Sequence, residues 1–385
     1  MELDQRRSAV VLSIDGLGAR YLGPYGNTSM TTPGFNRLAS RSMLFETALA
    51  RVAGGEGPEA WGWDRLGNEA IQQAAKEHPG VRSILVTDSA TVGDWGADRF
   101  DEVVEIPPNE TTAAASEVAE TRLARFFAEA IERILQLDQG ELLVLHTSGL
   151  LFPWDAPYEF REALQGEDDP PPPRELSFET GRFQEIDPDE LLGWQQAYGA
   201  QIAALDHCIE LFCDVLARLA IQPLVCVCSP QAFPIGEHGF LGAHPECLYD
   251  DALHVPLFIY NPAIGAVSSR VSSLTYADHW TECVNEWMLG KELPRPEILP
   301  RKELEWLTCT SANSSNAKAL RTHAWKFLFQ PPRPHELFAK PDDRWEKNDV
   351  ADRCHEVVEL LEKSMGNASV ALPEPLPSLL CDGVI

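Results

Sequence analysis

Five short apolar runs recur along the 385-residue chain, and stretches with helical periodicity separate them. Runs of five or six residues that carry almost no polar side chains are typical of strands covered on both faces. Strands that alternate with helices favour a parallel sheet between two helical layers. The runs lie at 10–14, 83–87, 142–146, 224–228 and 255–260.

The helical pattern is clearest at 201–220, where the sequence reads QIAALDHCIELFCDVLARLA. Its apolar residues step by three or four positions, which predicts a helix with one buried stripe. Together with the apolar runs, this pattern predicts an α/β fold with a mostly parallel central sheet sandwiched by helices. The stripe consists of Ile202, Leu205, Ile209, Phe212, Leu216 and Leu219.

Changes in composition divide the chain into three parts. We predict one large α/β domain over 1–300, which contains an acidic, proline-rich loop at 162–190. Strand and helix patterns resume near 301 and predict a small C-terminal α+β subdomain over 301–365. The segment 366–385 has three prolines and no clear period, so we expect a tail along the surface.

The charge balance limits the possible partners. There are 31 Lys and Arg residues against 59 Asp and Glu residues, a formal net charge of −28. Such a charge disfavours nucleic acids and anionic membranes. The apolar run before Asp15 is too short for a signal peptide core or a membrane span, and the nine cysteines have no framework spacing. We therefore expect a cytoplasmic protein with free thiols.

Asp15 ends the first apolar run and is followed by the turn-rich residues 25–27, YGN. Open α/β sheets bind ligands and metals at the carboxyl ends of their strands, and a carboxylate there is a candidate ligand. Aspartate also commonly caps a turn, which is the purely structural alternative.

Several segments in order resemble the sulfatases of the alkaline phosphatase superfamily. The opening segment resembles their first strand and metal-binding aspartate. Later segments, FPWDAPYEFR, GEHG with LYDDALHVPLFIYNP, and ALRTHAWKFLFQPPRPHELF, resemble three further blocks of that family. The resemblance implies the family's α/β fold and a metal-binding role for Asp15. It extends over about residues 8–365, and its blocks lie at 10–50, 152–161, 236–239, 248–262 and 319–338.

The chain departs from the family at the positions that carry its chemistry. Family sulfatases use a formylglycine, made from Cys or Ser in a Cys/Ser-x-Pro-x-Arg motif, which occurs nowhere here. By resemblance, Glu56 replaces the modified residue and Ala60 the arginine. Leu151 stands in place of a histidine, Pro230 in place of a metal-binding aspartate, and Gln231 in place of a second histidine. Asp15 would then be a vestigial metal ligand.

The polar residues left near the expected pocket are Asp15, Glu56, Gln231, His238 and His244. We expect Glu56 to lie near a helix N-terminus, within a few ångströms of Asp15, with its carboxylate in the anion pocket. Alternatively, Asp15, Glu56 and Gln231 supply oxygen ligands to a hard cation. His238 either belongs to the pocket or orders the GEHG turn. By resemblance, His244 lies close to a sulfate-contacting position, and a purely structural role is the alternative.

These substitutions predict a non-catalytic, sulfatase-like pseudoenzyme with a binding or scaffold role. We expect no cofactor, and a partner that is a protein or a small ligand of unknown identity. The alternative is a metal-dependent sulfuric or phosphoric ester hydrolase with a rebuilt site, in which water is the nucleophile and the cation is Ca²⁺ or Mg²⁺.

Overall fold

The structure is a computed structural model that describes residues 7–66, 82–108, 111–293, 304–314, 316–365, 372 and 376–381. Its strands are β1 (Ala9–Ile14), β2 (Met43–Leu49), β3 (Val52–Ala53), β4 (Arg82–Thr87), β5 (Glu102–Glu105), β6 (Glu141–Thr147), β7 (Gly181–Arg182), β8 (Leu224–Cys228), β9 (Phe240–Leu241), β10 (His254–Val255), β11 (Leu257–Tyr260), β12 (Ser269–Tyr276), β13 (Trp306–Ser311), β14 (Lys318–Thr322), β15 (Trp325–Phe329) and β16 (Glu336–Ala339).

The described helices are α1 (Pro33–Ala39), α2 (Gly57–Ala60), α3 (Ala90–Gly96), α4 (Arg122–Leu135), α5 (Tyr158–Glu162), α6 (Pro188–Leu216), α7 (Asp250–Leu253), α8 (His279–Met288), α9 (His355–Met365) and α10 (Ser378–Cys381). Short 3₁₀ turns lie at Ala19–Tyr21, Gly23–Tyr25, Trp63–Arg65 and Val118–Glu120.

The central sheet has nine strands in the order β10-β2-β11-β8-β1-β6-β4-β5, with β12 paired to β2. β1 lies in the middle and pairs in parallel with β6 and with β8. β4 and β5 continue the parallel part, and β5 is the last strand on that side of the described sheet. β11 is antiparallel to both β8 and β2. The predicted mostly parallel central sheet is therefore confirmed.

Each of the five apolar runs lies on a strand of this sheet. β1, β6 and β8 are buried along their whole length, as expected for strands covered on both faces. The last run differs from the prediction because it is split into β10 and β11. Pro256 lies between them, and proline has no backbone N–H to donate to a strand ladder.

Helices cover both faces of the central sheet. α6 is 29 residues long and begins earlier than the predicted periodic stretch. The predicted stripe is buried at Ile202, Leu205, Ile209 and Phe212, which pack in one core layer with side chains of β1, β6 and α4. A second layer, which includes α8, covers the other face.

A smaller sheet has the order β16-β15-β14-β13-β3. It consists mainly of C-terminal strands, but β3 comes from the beginning of the chain and pairs in parallel with β13. The predicted boundary at 301 lies outside the described residues, and the predicted tail at 366–385 is described only at 372 and 376–381. The exact domain limits therefore stay a prediction.

The acidic loop at 162–190 is anchored by a buried arginine. Arg161 is fully buried, and its guanidinium donates to the carbonyls of Pro173 and Glu175, at 2.6 and 2.8 Å. Tyr158 donates to the carbonyl of Pro172 at 2.7 Å. Much of the rest of the loop is exposed. No helix in the described ranges is both long and apolar enough to cross a membrane.

Buried charges join the small sheet to the large domain. Lys326 of β15 is fully buried, with Nζ 2.5 Å from Asp250 and 3.1 Å from Glu346. Lys340 pairs with the same two carboxylates at 2.9 Å each. Burial acts to lower the pKa of Lys326, and the two carboxylates outweigh burial and raise it. Because each buried charge has opposite charges beside it, the cost of taking the group out of water is offset.

We predict that Gly34→Ala destabilises the fold, although alanine favours a helix more than glycine does. Asp206 of α6 caps α1 by accepting the N–H groups of Gly34 and Phe35, at 2.9 Å each. A Cβ at Gly34 would lie 2.4 Å from the Asp206 carbonyl oxygen. Forcing the helices apart should lower the free energy of unfolding by about 1–3 kcal/mol, measured by urea denaturation.

The matched control is Asn36→Ala, on the exposed side of α1, which should be neutral or stabilising. An unchanged stability for Gly34→Ala would contradict the close contact.

Candidate functional site

Three polar side chains meet where neighbouring parallel strands end. Asp15 directly follows β1, His146 is next to last in β6, and Thr87 ends β4. The strands lie side by side in the order β1-β6-β4, and Thr87 is paired in register with His146. The Asp15 N–H donates to the Thr147 carbonyl at 2.9 Å, which fixes the carboxylate beside β6.

The three side chains form one buried chain of polar contacts. His146 Nε2 lies 3.1 Å from Asp15 Oδ2, and His146 Nδ1 lies 2.8 Å from Thr87 Oγ1. Thr87 and His146 have no exposed surface, and Asp15 is 3% exposed. Asp15 Oδ1 is also buried and accepts no hydrogen bond from the part of the chain that the structure describes. His146 Nε2 likewise makes no aligned hydrogen bond within the described residues, so its contact with Asp15 Oδ2 is an electrostatic one.

The ionisation of this pair follows from burial. Burial raises the pKa of Asp15, and the pair with His146 compensates in part, so the pKa stays above its ordinary value. Burial acts to lower the pKa of His146, but Asp15 outweighs burial and raises it. Asp88 pushes both pKa values in the same upward direction. Both shifts mean that the folded protein holds a proton on this pair more tightly than the unfolded chain does.

Asp88 accepts hydrogen bonds from residues at the end of β6 and directly after it. Its Oδ2 accepts the Thr147 hydroxyl at 2.7 Å. Its Oδ1 accepts both the N–H and the hydroxyl of Ser148, at 2.7 and 2.9 Å. These bonds hold the end of β6 against the end of β4, and they keep His146 in register with its two partners.

Tryptophan side chains cover His146. Trp61 is stacked on its ring with centroids 5.6 Å apart, and Trp63 meets the ring edge-on at 5.5 Å. Trp63 also contacts Trp95 and Trp280, at 5.9 and 5.8 Å. We call Trp61, Trp63, Trp95 and Trp280 the tryptophan cluster. It occupies the space beside the pair with apolar rings, which strengthens electrostatic interactions by excluding water.

Two of the residues predicted from the resemblance lie close to Asp15. The Gln231 carbonyl accepts the N–H of Gly16 at 3.1 Å, and Gln231 is 7% exposed. A Cβ placed on Gly16 would lie 3.2 Å from the Leu151 side chain. Gly16 has φ +84°, a conformation that favours glycine, which brings these loops together directly after Asp15.

Glu56 does not have the role that we expected. It is the N-cap residue of α2, but its side chain accepts no capping hydrogen bond and is exposed. The residue that packs on the Asp15–His146 pair from this segment is Trp61. An exposed carboxylate is stabilised by water, so neither helix N–H groups nor a cation is needed to neutralise it. Ala60, in place of the family's arginine, ends the same short helix.

His238 belongs to another cluster. Its Nδ1 lies 2.6 Å from Asp251, its Nε2 is 3.1 Å from the Glu346 carbonyl, and its ring is stacked on Tyr249. Burial acts to lower its pKa, and Asp251 raises it to above the ordinary value. Asp251 also pairs with Arg20 at 2.5 Å. The structural interpretation of His238 therefore applies, because its ring nitrogens hold the GEHG segment to α7 and to the loop at Glu346.

His244 lies in a partly exposed loop. Its Nδ1 accepts the N–H of Glu246 at 3.1 Å, and its ring packs against Phe240. Burial lowers its pKa. A Cβ on Gly54 would lie 2.6 Å from the His244 carbonyl carbon, so the backbone of this loop is in close contact with the segment just before α2. The contacts of His244 are those of a loop anchor.

The residues beside Asp15 do not fit a hard-cation site. The orphaned oxygen Oδ1 would suit a cation, but Oδ2 already faces His146. Such a site needs about six to eight oxygen ligands, whereas Pro230 has none in its side chain and Glu56 is exposed. Across the described ranges, no three His, Cys, Asp or Glu side chains converge in a way that could hold a metal.

Sequence reasoning missed His146, Trp61 and Trp63. His146 was recognised only as the end of an apolar run, although a histidine at the carboxyl end of a strand next to β1 is well placed to face Asp15. Trp61 and Trp63 directly follow the predicted nucleophile segment, and two tryptophans there were a signal that this pocket is filled.

Comparison with known proteins supports the fold. No protein-family model and no curated sequence matches the chain. Solved structures do match. A phosphonate monoester hydrolase of Agrobacterium radiobacter has a TM-score of 0.67 at 16% identity, and the match covers 94% of each chain. A protein solved with its substrate D-glucosamine-2-N,6-O-disulfate has a TM-score of 0.66 at 14% identity, covering 94% of this chain and 98% of the other.

A 2-O GAG sulfatase gives a TM-score of 0.61 at 14% identity, covering 93% of this chain and 90% of the other. These likenesses extend over nearly the whole of each chain, but at identities that show the fold alone. The chain therefore has the fold of these hydrolases, which is the α/β fold that the resemblance implied.

We predict that His146→Gln lowers the free energy of unfolding by about 3–5 kcal/mol at pH 7.5, because it leaves the Asp15 carboxylate buried without its partner. The loss should be smaller at pH 5. Without His146 the pKa of Asp15 rises further, and an acid with a raised folded pKa loses stability as the pH increases above its unfolded pKa. Urea denaturation at both pH values measures the difference.

The control is the double variant Asp15→Asn with His146→Gln, which carries no buried charge and should recover most of the loss at pH 7.5. Equal losses at the two pH values, or a double variant as unstable as the single one, would contradict the buried pair.

Proposed function

We propose that the chain is a pseudoenzyme with the sulfatase fold that acts by binding, as a scaffold or regulatory protein. The observation that carries this proposal is the contact between Asp15 and His146. In the family that the sequence resembles, the matching aspartate binds the catalytic metal. Here the same carboxylate faces a buried histidine under tryptophan rings.

The neighbouring positions support the same proposal. A nucleophile and the groups that stabilise charge on the transferred group act as a unit, and losing several of them does not leave a proportionate remainder. Glu56 cannot become a formylglycine, Ala60 has no positive charge, and Leu151 can neither donate nor accept a proton. By resemblance these three positions correspond to catalytic groups of the family, and none of the three side chains can supply that chemistry.

The charge of the protein indicates the class of partner. A net charge of −28 attracts basic surfaces and repels sulfate and phosphate esters at long range. We therefore favour a basic protein partner over an anionic small ligand.

The alternative function is a metal-dependent sulfuric or phosphoric ester hydrolase with a rebuilt site. One observation favours it, the buried and unpartnered Asp15 Oδ1, which is a free acceptor in the place where the family binds its metal. Against it, Glu56 is exposed, and His238 and His244 have other partners. This alternative requires the contact between His146 Nε2 and Asp15 Oδ2 to break before a cation can bind.

We predict that the purified protein releases 4-nitrophenol from 4-nitrophenyl sulfate, and from a 4-nitrophenyl phosphonate monoester, no faster than its Asp15→Asn variant does. The assay is run with Ca²⁺, with Mg²⁺ and with chelator, and an active sulfatase serves as the positive control. Turnover by the parent protein that disappears in Asp15→Asn would contradict the pseudoenzyme proposal and support the hydrolase alternative.

We also predict that millimolar Ca²⁺ or Mg²⁺ does not raise the melting temperature and that chelator does not lower it. A cation that binds only the folded state stabilises it by RT ln(1 + [L]/Kd), so a specific site would give a clear shift. Glu56→Gln should leave the melting temperature unchanged, because the side chain is exposed. A cation-dependent shift that is present in the parent and absent in Asp15→Asn would indicate that Asp15 is a metal ligand.

A further inference from the structure

A cleft of about 630 Å³ lies between β12 and α8, apart from the Asp15 site. Its walls include Phe45 of β2, Tyr276 of β12 and the first turns of α8. The residue that follows His279 in α8 is Trp280, which packs on Trp63 of the tryptophan cluster. The helix that forms the cleft wall thus has its opposite face in the core of the domain.

A thiol and an imidazole face each other in this cleft. His279 and Cys283 are four residues apart on α8, so they lie on the same side of the helix. Cys283 Sγ is 3.6 Å from His279 Nε2, and His279 Nδ1 is 3.3 Å from Glu282. The ring meets Phe45 edge-on at 5.7 Å. Both ring nitrogens therefore have a partner, and the thiol faces Nε2.

Charged groups of every neighbouring element surround this pair. Arg51, from the segment after β2, lies 2.6 Å from Asp278, and Arg65 lies 3.4 Å from the same carboxylate. Glu286 and Lys291 complete the charged lining of the cleft. Burial acts to lower the pKa of His279, but Cys283 and Glu282 outweigh burial and raise it to about 10. His279 thus places a cationic imidazole nitrogen, Nε2, against the Cys283 sulfur.

At several other buried thiols burial is the dominant influence, even where an arginine or lysine lies nearby. Burial raises the pKa of Cys208 and Cys309 to about 12 and that of Cys213 to about 11. Burial also raises the pKa of Cys226, on β8, well above its ordinary value. Cys283 is 8% exposed, and it lines a cleft large enough for a small molecule. It thus combines access with a cationic neighbour.

We propose that Cys283 is a modification site for a small α,β-unsaturated carbonyl compound, with His279 as the proton donor. The thiolate sulfur forms a bond to the β-carbon, and the carbon–carbon π bond breaks. Its electron pair moves to the α-carbon, which takes the proton from His279 Nε2 and leaves a neutral imidazole. No group leaves, and no oxidant or reductant is consumed. The product is a thioether within the cleft.

The test uses N-ethylmaleimide as the probe, in limiting amount, on the native full-length protein at pH 6. Peptide mapping by mass spectrometry gives a rate of modification for each cysteine. Cys354 and Cys381, which are the more exposed thiols, are internal references. We expect Cys283 to react faster than both, because its sulfur lies 3.6 Å from the His279 imidazole in a cleft that admits the probe.

His279→Gln should slow the modification of Cys283 at pH 6 by about tenfold or more, since it removes the imidazole beside the sulfur and the proton donor for the α-carbon. The rates of Cys354 and Cys381 should stay the same, which shows that the variant is folded. Ser273→Ala is the control, because Ser273 lines the same cleft from β12, and it should change the rate much less. The proposal is overturned if Cys283 reacts more slowly than both references in the parent, or if His279→Gln leaves its rate unchanged.

Discussion

The central constraint in this molecule is a carboxylate buried at the end of the middle strand. Asp15 has almost no contact with water, and an isolated ion there would be very costly. The sequence resemblance implied a metal ion as the charge that balances Asp15. Here His146, on the adjacent strand, lies within ion-pair distance. Removing only one partner of such a buried pair leaves an unpaired charge and lowers the free energy of unfolding. The histidine and the aspartate must therefore be retained or lost together.

The second organising interaction is the group of buried charges around Lys326. Asp250 and Glu346 come from opposite sides of the junction between the large domain and the small sheet, and both pair with Lys326 and Lys340. Glu346 has φ 53°, a strained conformation for a residue with a side chain, and its contacts hold it there. The small sheet is therefore an integral part of the fold. β3, from the beginning of the chain, extends that sheet and reinforces this connection.

Much of the fold could be predicted because local patterns determine it. Each apolar run became a strand, and Asp15 could be placed at a sheet end from the run that precedes it. Gln231 and Leu151 were predicted near Asp15 by resemblance, and their contacts with Gly16 agree with this position. The pairing with His146 could not be read locally, because it depends on which strand lies next to β1. The prediction for Glu56 was wrong because the direction of a short helix decides which side chain of this segment lies at the Asp15–His146 pair, Glu56 or Trp61.

One feature of the central sheet bears on how the protein behaves at high concentration. A final strand with free backbone groups is a template for strands of other molecules. β5, the last strand on its side of the described sheet, is only four residues long and has glutamate at both ends. An identical strand brought against it in either direction would meet like charges, in a molecule whose overall charge is already repulsive. Like charges at this edge of the described sheet thus oppose sheet extension and aggregation.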